Sequence, residues 1–309
     1  MDKFYIILDQ VLILLIIMVL GYALGHMKIL TPAATKKLSE IVLYVTTPMT
    51  ILNSFFIELN PERISGLLWT LAFSAISFGV TILLAPFLFR RYSEDDAAVM
   101  KFTMVFSNAT YMGFPLMSAL YGDEGVFYGS FYSVVFTVLL FSYGFILFGG
   151  KGSTKSIIKK VVTNPNLIAI YFGLAIFLLQ LNVPTIFRGA ITAVGQMTLP
   201  MSMLIIGGVI STAKLRSIFT DPKVYYASFV RLILIPLVGL GLVLLLRIPT
   251  LPATIVLTAM AMPAATSTTM FAEMFNKGSV LSSRVVAVST VLCVITAPLM
   301  ISLVTSVIA

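Results

Sequence analysis

The side chains with chemistry to offer gather in two short polar stretches of an otherwise apolar chain. The first reads Ser107-Asn108-Ala109-Thr110-Tyr111-Met112-Gly113-Phe114-Pro115, and the second Met262-Pro263-Ala264-Ala265-Thr266-Ser267-Thr268-Thr269. Neither holds a carboxylate, an imidazole or a thiol, so they offer hydrogen bonds rather than bond cleavage. The Asn108 amide can donate to a carboxylate while its carbonyl ties down broken backbone. Proline removes a backbone donor and clashes with the preceding turn, and glycine weakens a helix further, so Gly113, Pro115 and Pro263 read as helix breaks. Free amides at a half-helix N-terminus, carrying about half a positive charge, suit an anion without any positive side chain. Such a break survives at membrane depth only where it is packed in protein or lines a watered cavity.

Each candidate has a structural reading beside the functional one. Asn108 contacts an anionic substrate or bridges two helices; Thr110 and Tyr111 share that role or mend freed carbonyls. Thr266 and Ser267 are the second-stretch candidates because they immediately follow the break, and most of the four hydroxyls Thr266 to Thr269 are expected to be structural, bonding back to their own backbone. Pro48 and Pro200 kink packed helices, and on the functional reading they aim Thr47, Thr50, Thr198 and Ser202 at a cavity. Three charges are candidates for anion attraction or coupling. Arg231, well inside a span, snorkels to the headgroups or meets substrate. Lys101 draws anions to a mouth or marks a helix end, and Glu273 is a proton or cation site or pairs with Lys277 at i,i+4.

The elements that must position these residues are membrane helices. Of 309 residues, 59% are hydrophobic and 10% charged, with a mean hydropathy of +1.05, far from the composition of a soluble domain. Spans of about 20 apolar residues are expected near Ile6–Met27, Lys37–Phe56, Ile64–Phe89, Ala97–Tyr121 and Val126–Phe148. Five more are expected near Pro165–Leu181, Ile186–Thr212, Val224–Leu246, Leu251–Phe275 and Val285–Ile308. The first apolar segment is expected to stay as a span, since no cleavage site follows it.

The net charge of +8 does not point to nucleic acid, because the basic residues recur in alternate loops. Fifteen lysines and arginines, among them Lys28, Arg90, Lys151, Lys160, Lys214 and Arg216, fall on one side, and only Lys3, Arg63, Arg188 and Arg247 on the other. That bias places both termini on the non-cytoplasmic side. The basic linker 151–164 divides a first five-helix repeat, 1–150, from a second, 165–309. With an odd number of helices per half, the second repeat is necessarily inverted. A weak internal match supports this: Thr46-Thr47-Pro48-Met49-Thr50 parallels Thr198-Leu199-Pro200-Met201-Ser202, and the two polar stretches correspond in character.

The absences are informative. One cysteine, Cys293, and one histidine, His26, leave neither a disulfide nor a thiolate metal cluster within one chain, and no cofactor is implied. An intramembrane enzyme needs acid/base groups or metal ligands that the spans lack. No carboxylate pair lies at mid-membrane, so the acidic dyad of sodium/proton antiporters is missing.

Taken together, the landmarks resemble the auxin efflux carrier family of bacterial organic-anion transporters and plant auxin exporters. They are Gly21-Tyr22, Leu43-Tyr44-Val45-Thr46-Thr47-Pro48, Asn108 through Gly113-Phe114-Pro115, Asn164-Pro165-Asn166 and Gly195-Gln196-Met197-Thr198-Leu199-Pro200. Pro263, Ser289-Thr290 and Thr296-Ala297-Pro298 complete the series. The resemblance implies an all-α fold of ten transmembrane helices in two inverted five-helix repeats, with helices 4 and 9 broken and crossing. It also implies carboxylate-bearing substrates. Where family members often carry an asparagine after the ninth-helix proline, this chain has Ser267.

The expected function is export of a small organic anion, a dicarboxylate or an aromatic carboxylate, across a bacterial inner membrane by alternating access. The alternatives are a sodium- or proton-coupled symporter, or a channel or ligand-sensing membrane protein without turnover. The expected partners are the anion and membrane lipid, with a homodimer as one arrangement that the small residues could support.

Overall fold

Helix starts in this chain are written by proline and by short polar caps. Thr31 accepts from the Ala34 N–H ahead of the Pro32–Ile41 helix, and Ser93 accepts from Asp96 N–H ahead of Glu94–Val105. Asn164 caps Pro165–Leu179, and Asp221 caps Pro222–Phe229. In three of the four, proline follows at the first helical position, where its missing N–H costs nothing. The computed structural model describes residues 2–150, 154–212 and 221–308. Among those residues no strand forms, and the protein is all-helical.

Among the described residues, five helical runs are long and apolar enough to cross a membrane: Pro61–Leu88, Ala109–Leu147, Thr185–Ser211, Pro222–Leu246 and Ser279–Ile308. A sixth arises if Lys155–Val162 and Pro165–Leu179, bent by 61° at the break between them, count as one span. The Ala109–Leu147 run is kinked at Gly122, whose φ of 62° and ψ of −149° only glycine tolerates easily. Several expected spans come out in pieces. Lys37–Phe56 is divided by a π-turn, Ala97–Tyr121 is cut after Val105, and Leu251–Phe275 after Met260.

Prolines explain most of the irregular turns. Four π-turns occur among the described residues, Val42–Thr46, Ala109–Gly113, Leu140–Gly144 and Val230–Leu234. Three of them end two residues before a proline: Pro48, Pro115 and Pro236. A helical proline clashes with the carbonyl four residues back and offers it no donor. Those carbonyls belong to Tyr44, Tyr111 and Leu232, each inside its π-turn, where the wider ring relieves the clash. Proline is thus absorbed by local widening rather than by a break. Nothing in the structure explains the fourth π-turn.

Contacts group the chain into two compact units, each drawn from both halves of the sequence. One comprises Met1–Leu68, Thr110–Phe131 and Val161–Thr212. Within it the Asp2–His26 and Thr198–Thr212 helices meet backbone to backbone at Gly21 and Gly207. Phe55, Phe127, Phe131 and Phe177 form its aromatic centre, with ring centroids 5.0 Å apart for Phe55 and Phe127.

The other unit comprises Trp69–Ala109, Tyr132–Lys160 and Ala213–Ala309. Phe102 is its aromatic hub, stacked edgewise or tilted against Phe106, Phe148 and Phe271. Lys277 pairs with Glu94 at 3.2 Å and Asp95 at 3.8 Å, and Lys223 with Asp96 at 2.6 Å. The Glu273–Lys277 helix pair, one of the two readings of Glu273, does not form. Asn276, at φ 52°, follows the end of the Ser267–Met274 helix, so Lys277 lies beyond the i,i+4 geometry and Glu273 stays exposed. Lys151, Lys214 and Arg216 lie outside the described residues.

Candidate functional site

Breaking a helix frees carbonyls at one end and amides at the other, and each buried group must find a partner. In the second unit the two polar stretches answer one another. The chain turns extended at Phe106, φ −104° and ψ 114°, after the Glu94–Val105 helix ends. The Thr250–Met260 helix likewise ends just before Pro263. Ser107 and Ala264 then form an isolated antiparallel bridge. Asn108 N–H donates to Pro263 O at 2.8 Å, and Ala265 N–H donates to Phe106 O at 3.0 Å. The Ala264 N–H donates to the Ser289 hydroxyl, which itself donates to Val286 O. Ser107 and Tyr132 share a hydroxyl hydrogen bond of 3.1 Å.

Arg231 collects the remaining carbonyls. Its Nε donates to Met262 O at 3.0 Å, one terminal nitrogen to Met104 O at 2.7 Å, and the other to Met260 O at 2.6 Å. The guanidinium is 1% exposed, so it is buried rather than snorkelled to a surface. Met104 and Met260 lie at the C-terminal ends of two interrupted helices, where the helix dipole favours a cation. One side chain therefore fixes both breaks. The sequence held a signal for this: Arg231 is the one lysine or arginine left over when the alternating loop charges are assigned.

The anion candidates lie as follows. Asn108 is 3% exposed, Ser267 is half-buried and Thr266 exposed. Ser267 opens the eight-residue helix Ser267–Met274, whose first amides have no capping side chain. The Ser267 and Thr268 hydroxyls are buried without a protein partner, an arrangement that water or a ligand would satisfy. The first break falls at residues 106–108, upstream of Gly113 and Pro115; Gly113 closes a π-turn, and Pro115 is the second residue of Phe114–Leu139. Lys101 is half-buried.

The candidates in the first unit divide. Thr50 and Thr198 hydroxyls lie 2.7 Å apart, and Thr50 also donates to Gly195 O at 2.8 Å. A Cβ on Gly195 would come within 3.1 Å of the Thr50 backbone, so these helices touch where the two internally matched segments meet. Thr50 and Thr198 thus join helices, whereas the Thr47 and Ser202 hydroxyls are buried without a protein partner. Tyr111 donates to Ser39 O at 3.3 Å, Thr110 is half-buried, and Pro200 lies in the first turn of Thr198–Thr212, where proline is tolerated. A double-mutant cycle on Thr50→Val and Thr198→Val, read as melting temperature in detergent, should give a coupling of about 0.6 kcal/mol, the average for such bonds between membrane helices. Strict additivity would mean that the hydroxyls do not couple.

Behind the breaks lies a cavity of about 10 Å³ lined by Ser77, Thr81, Tyr132 and Arg231 with apolar neighbours, room for roughly one water. The Ser77 hydroxyl there has no protein partner. Among the described residues, no three His, Cys, Asp or Glu side chains gather as metal ligands.

A multi-pass helical protein with two interrupted segments tied at their breaks is the kind of structure that membrane carriers use to hold solutes. The chain belongs to the membrane transport protein family related to the auxin efflux carriers, whose model matches residues 6–301. It is 27% identical over 280 residues to an uncharacterized transporter of Methanocaldococcus jannaschii, covering 87% of this chain and 89% of that protein. It is also 26% identical over 297 residues to an uncharacterized transporter of Methanothermobacter thermautotrophicus, covering 94% and 96% respectively.

Proposed function

We propose that the protein is a secondary carrier that exports a small organic anion, a dicarboxylate or an aromatic carboxylate, across the cell membrane by alternating access. The observation that carries this reading is the pair of interrupted segments bonded to each other at Asn108, Pro263, Phe106 and Ala265. On this reading the chain crosses the membrane ten times in two inverted five-helix repeats, and the breaks are where the fourth and ninth crossings pass each other. The Asn108 amide and the Ser267 hydroxyl, which has no protein partner, meet the substrate carboxylate, while the Arg231 charge behind the breaks adds to the positive potential.

The place of Arg231 also favours a potential-driven exporter over a sodium symporter. In carriers with broken helices, unwound carbonyls and half-helix C-terminal ends coordinate the coupling cation. Here the carbonyls of Met104, Met260 and Met262 already receive a guanidinium. An inside-negative potential alone drives anion exit, at about 2.3 kcal/mol per charge per 100 mV.

The test is flux of labelled carboxylates from proteoliposomes, with and without an imposed potential and with sodium replaced by choline. Flux should follow the potential and ignore sodium. Losing one hydrogen bond to a charged ligand costs about 1.5–3 kcal/mol, so Asn108→Ala and Ser267→Ala should each slow flux at low substrate about 10- to 100-fold. If both variants transported at the wild-type rate, the site would lie elsewhere.

A further inference from the structure

The central basic segment carries a second, independent feature. The Thr154–Val162 helix reads Thr-Lys-Ser-Ile-Ile-Lys-Lys-Val-Val and contains no acidic residue. At about 100° per residue, Ile157, Ile158, Val161 and Val162 fall within an arc of about 140°, and Lys155, Ser156, Lys159 and Lys160 occupy the opposite side. Ile158 is 56% and Val162 50% exposed, and all three lysines are exposed. Lys160 Nζ also lies 5.0 Å from the Phe145 ring, which tethers the helix to the span before it. The helix bends 61° away from the following Pro165–Leu179 helix, because Asn164 ends one run and caps the next.

A short helix with an exposed apolar arc, an opposite arc of three lysines and a serine, and a membrane span directly after it has the makings of an interfacial helix. We infer that Thr154–Val162 lies on the membrane surface and binds anionic lipid headgroups, with Ile158 and Val162 dipped among the acyl chains and Lys155, Lys159 and Lys160 at the phosphates. An acidic peptide would satisfy the lysines but would leave the apolar arc in water, whereas the lipid surface takes both arcs. Juxtamembrane lysines gain about fivefold each in affinity for an anionic leaflet. The inference rests on the reading of the chain as a multi-pass membrane protein, and not on what it transports.

The experiment uses the full chain in nanodiscs of phosphatidylcholine, with and without phosphatidylglycerol. Cys293 is the chain's only cysteine and is buried, so a fluorophore on Ile158→Cys reports one site. Nitroxide lipids should quench it strongly in anionic discs and several-fold less in neutral ones. The triple change Lys155→Gln, Lys159→Gln, Lys160→Gln should erase that difference, with the melting temperature of the protein held within a degree or two as the folding control. Equal quenching in both lipids, no quenching in either, or quenching in anionic discs that survives the triple change would each overturn the proposal. Protection of the label by a soluble acidic peptide but not by lipid would overturn it in favour of a protein partner. Quenching is read without substrate, so it stands or falls separately from the flux test.

Discussion

Arg231→Met should destabilise the protein by about 3 kcal/mol net, the largest effect expected of any single side chain within the spans. The change removes the donor from three carbonyls, those of Met104, Met260 and Met262, and each buried group left unpaired costs about 1–3 kcal/mol. Against that stands relief from burying a guanidinium, itself several kcal/mol. The relief does not cancel the loss, because the carbonyls remain in place with no water to turn to. Arg231→Lys separates charge from geometry: it keeps the positive end at the two helix C-termini but cannot reach three carbonyls in one plane. Melting temperature in detergent should therefore rank wild type first, lysine second and methionine last. A methionine variant that melted with the wild type would show that the carbonyl ties contribute nothing to stability.

The Arg231 arrangement also marks how far a sequence can be read. The two polar stretches were legible because proline, glycine and hydroxyls are rare in a uniform apolar span, and they do meet, through Asn108 and Pro263. Legible too was the need to satisfy freed backbone. What supplied the satisfaction was not, since Arg231 lies 127 residues from Met104 and 29 from Met260 along the chain. Local pattern carries no information at that range. A charge isolated in an apolar helix reads equally well as snorkelling until its neighbours are known.

Proline misleads in a more local way. Gly113 and Pro115 suggest a break at their own positions, yet the chain unwinds at 106–108, and Pro115 is accommodated by the π-turn just before it. The reason is energetic. A π-turn removes one steric clash and re-pairs the other carbonyls, whereas full unwinding strands several groups in a medium without water. Unwinding is affordable only where a second chain segment supplies partners, and Ala264 and Ala265 do so opposite Phe106 and Ser107. The Thr50–Thr198 contact follows the same logic. The internal match between their segments was readable, but not that the two copies would touch.

The second large effect is expected in the first unit, where the Asp2–His26 and Thr198–Thr212 helices touch. Gly207→Ala should lower the melting temperature by many degrees or prevent accumulation of folded protein. A Cβ there would lie 2.0 Å from Met18 O and 2.6 Å from Tyr22 N, both backbone atoms that no rotamer change can move. Gly21 meets the same obstacle from the other side, 2.4 Å from Leu204 O. Since membrane helices associate by close packing rather than by escape from water, prising this pair apart forfeits the attraction that holds it. Overpacking of this kind costs about 1–3 kcal/mol even where side chains can give way, and here they cannot. Gly241→Ala is the matched control: it also adds one carbon to a helical glycine, yet that carbon would meet nothing within 4 Å. It should melt with the wild type or slightly above, since alanine favours helix by about 1 kcal/mol over glycine. If the two variants melted together, the glycines at 21 and 207 would be incidental, and the close approach of these two helices would not be what holds the unit together.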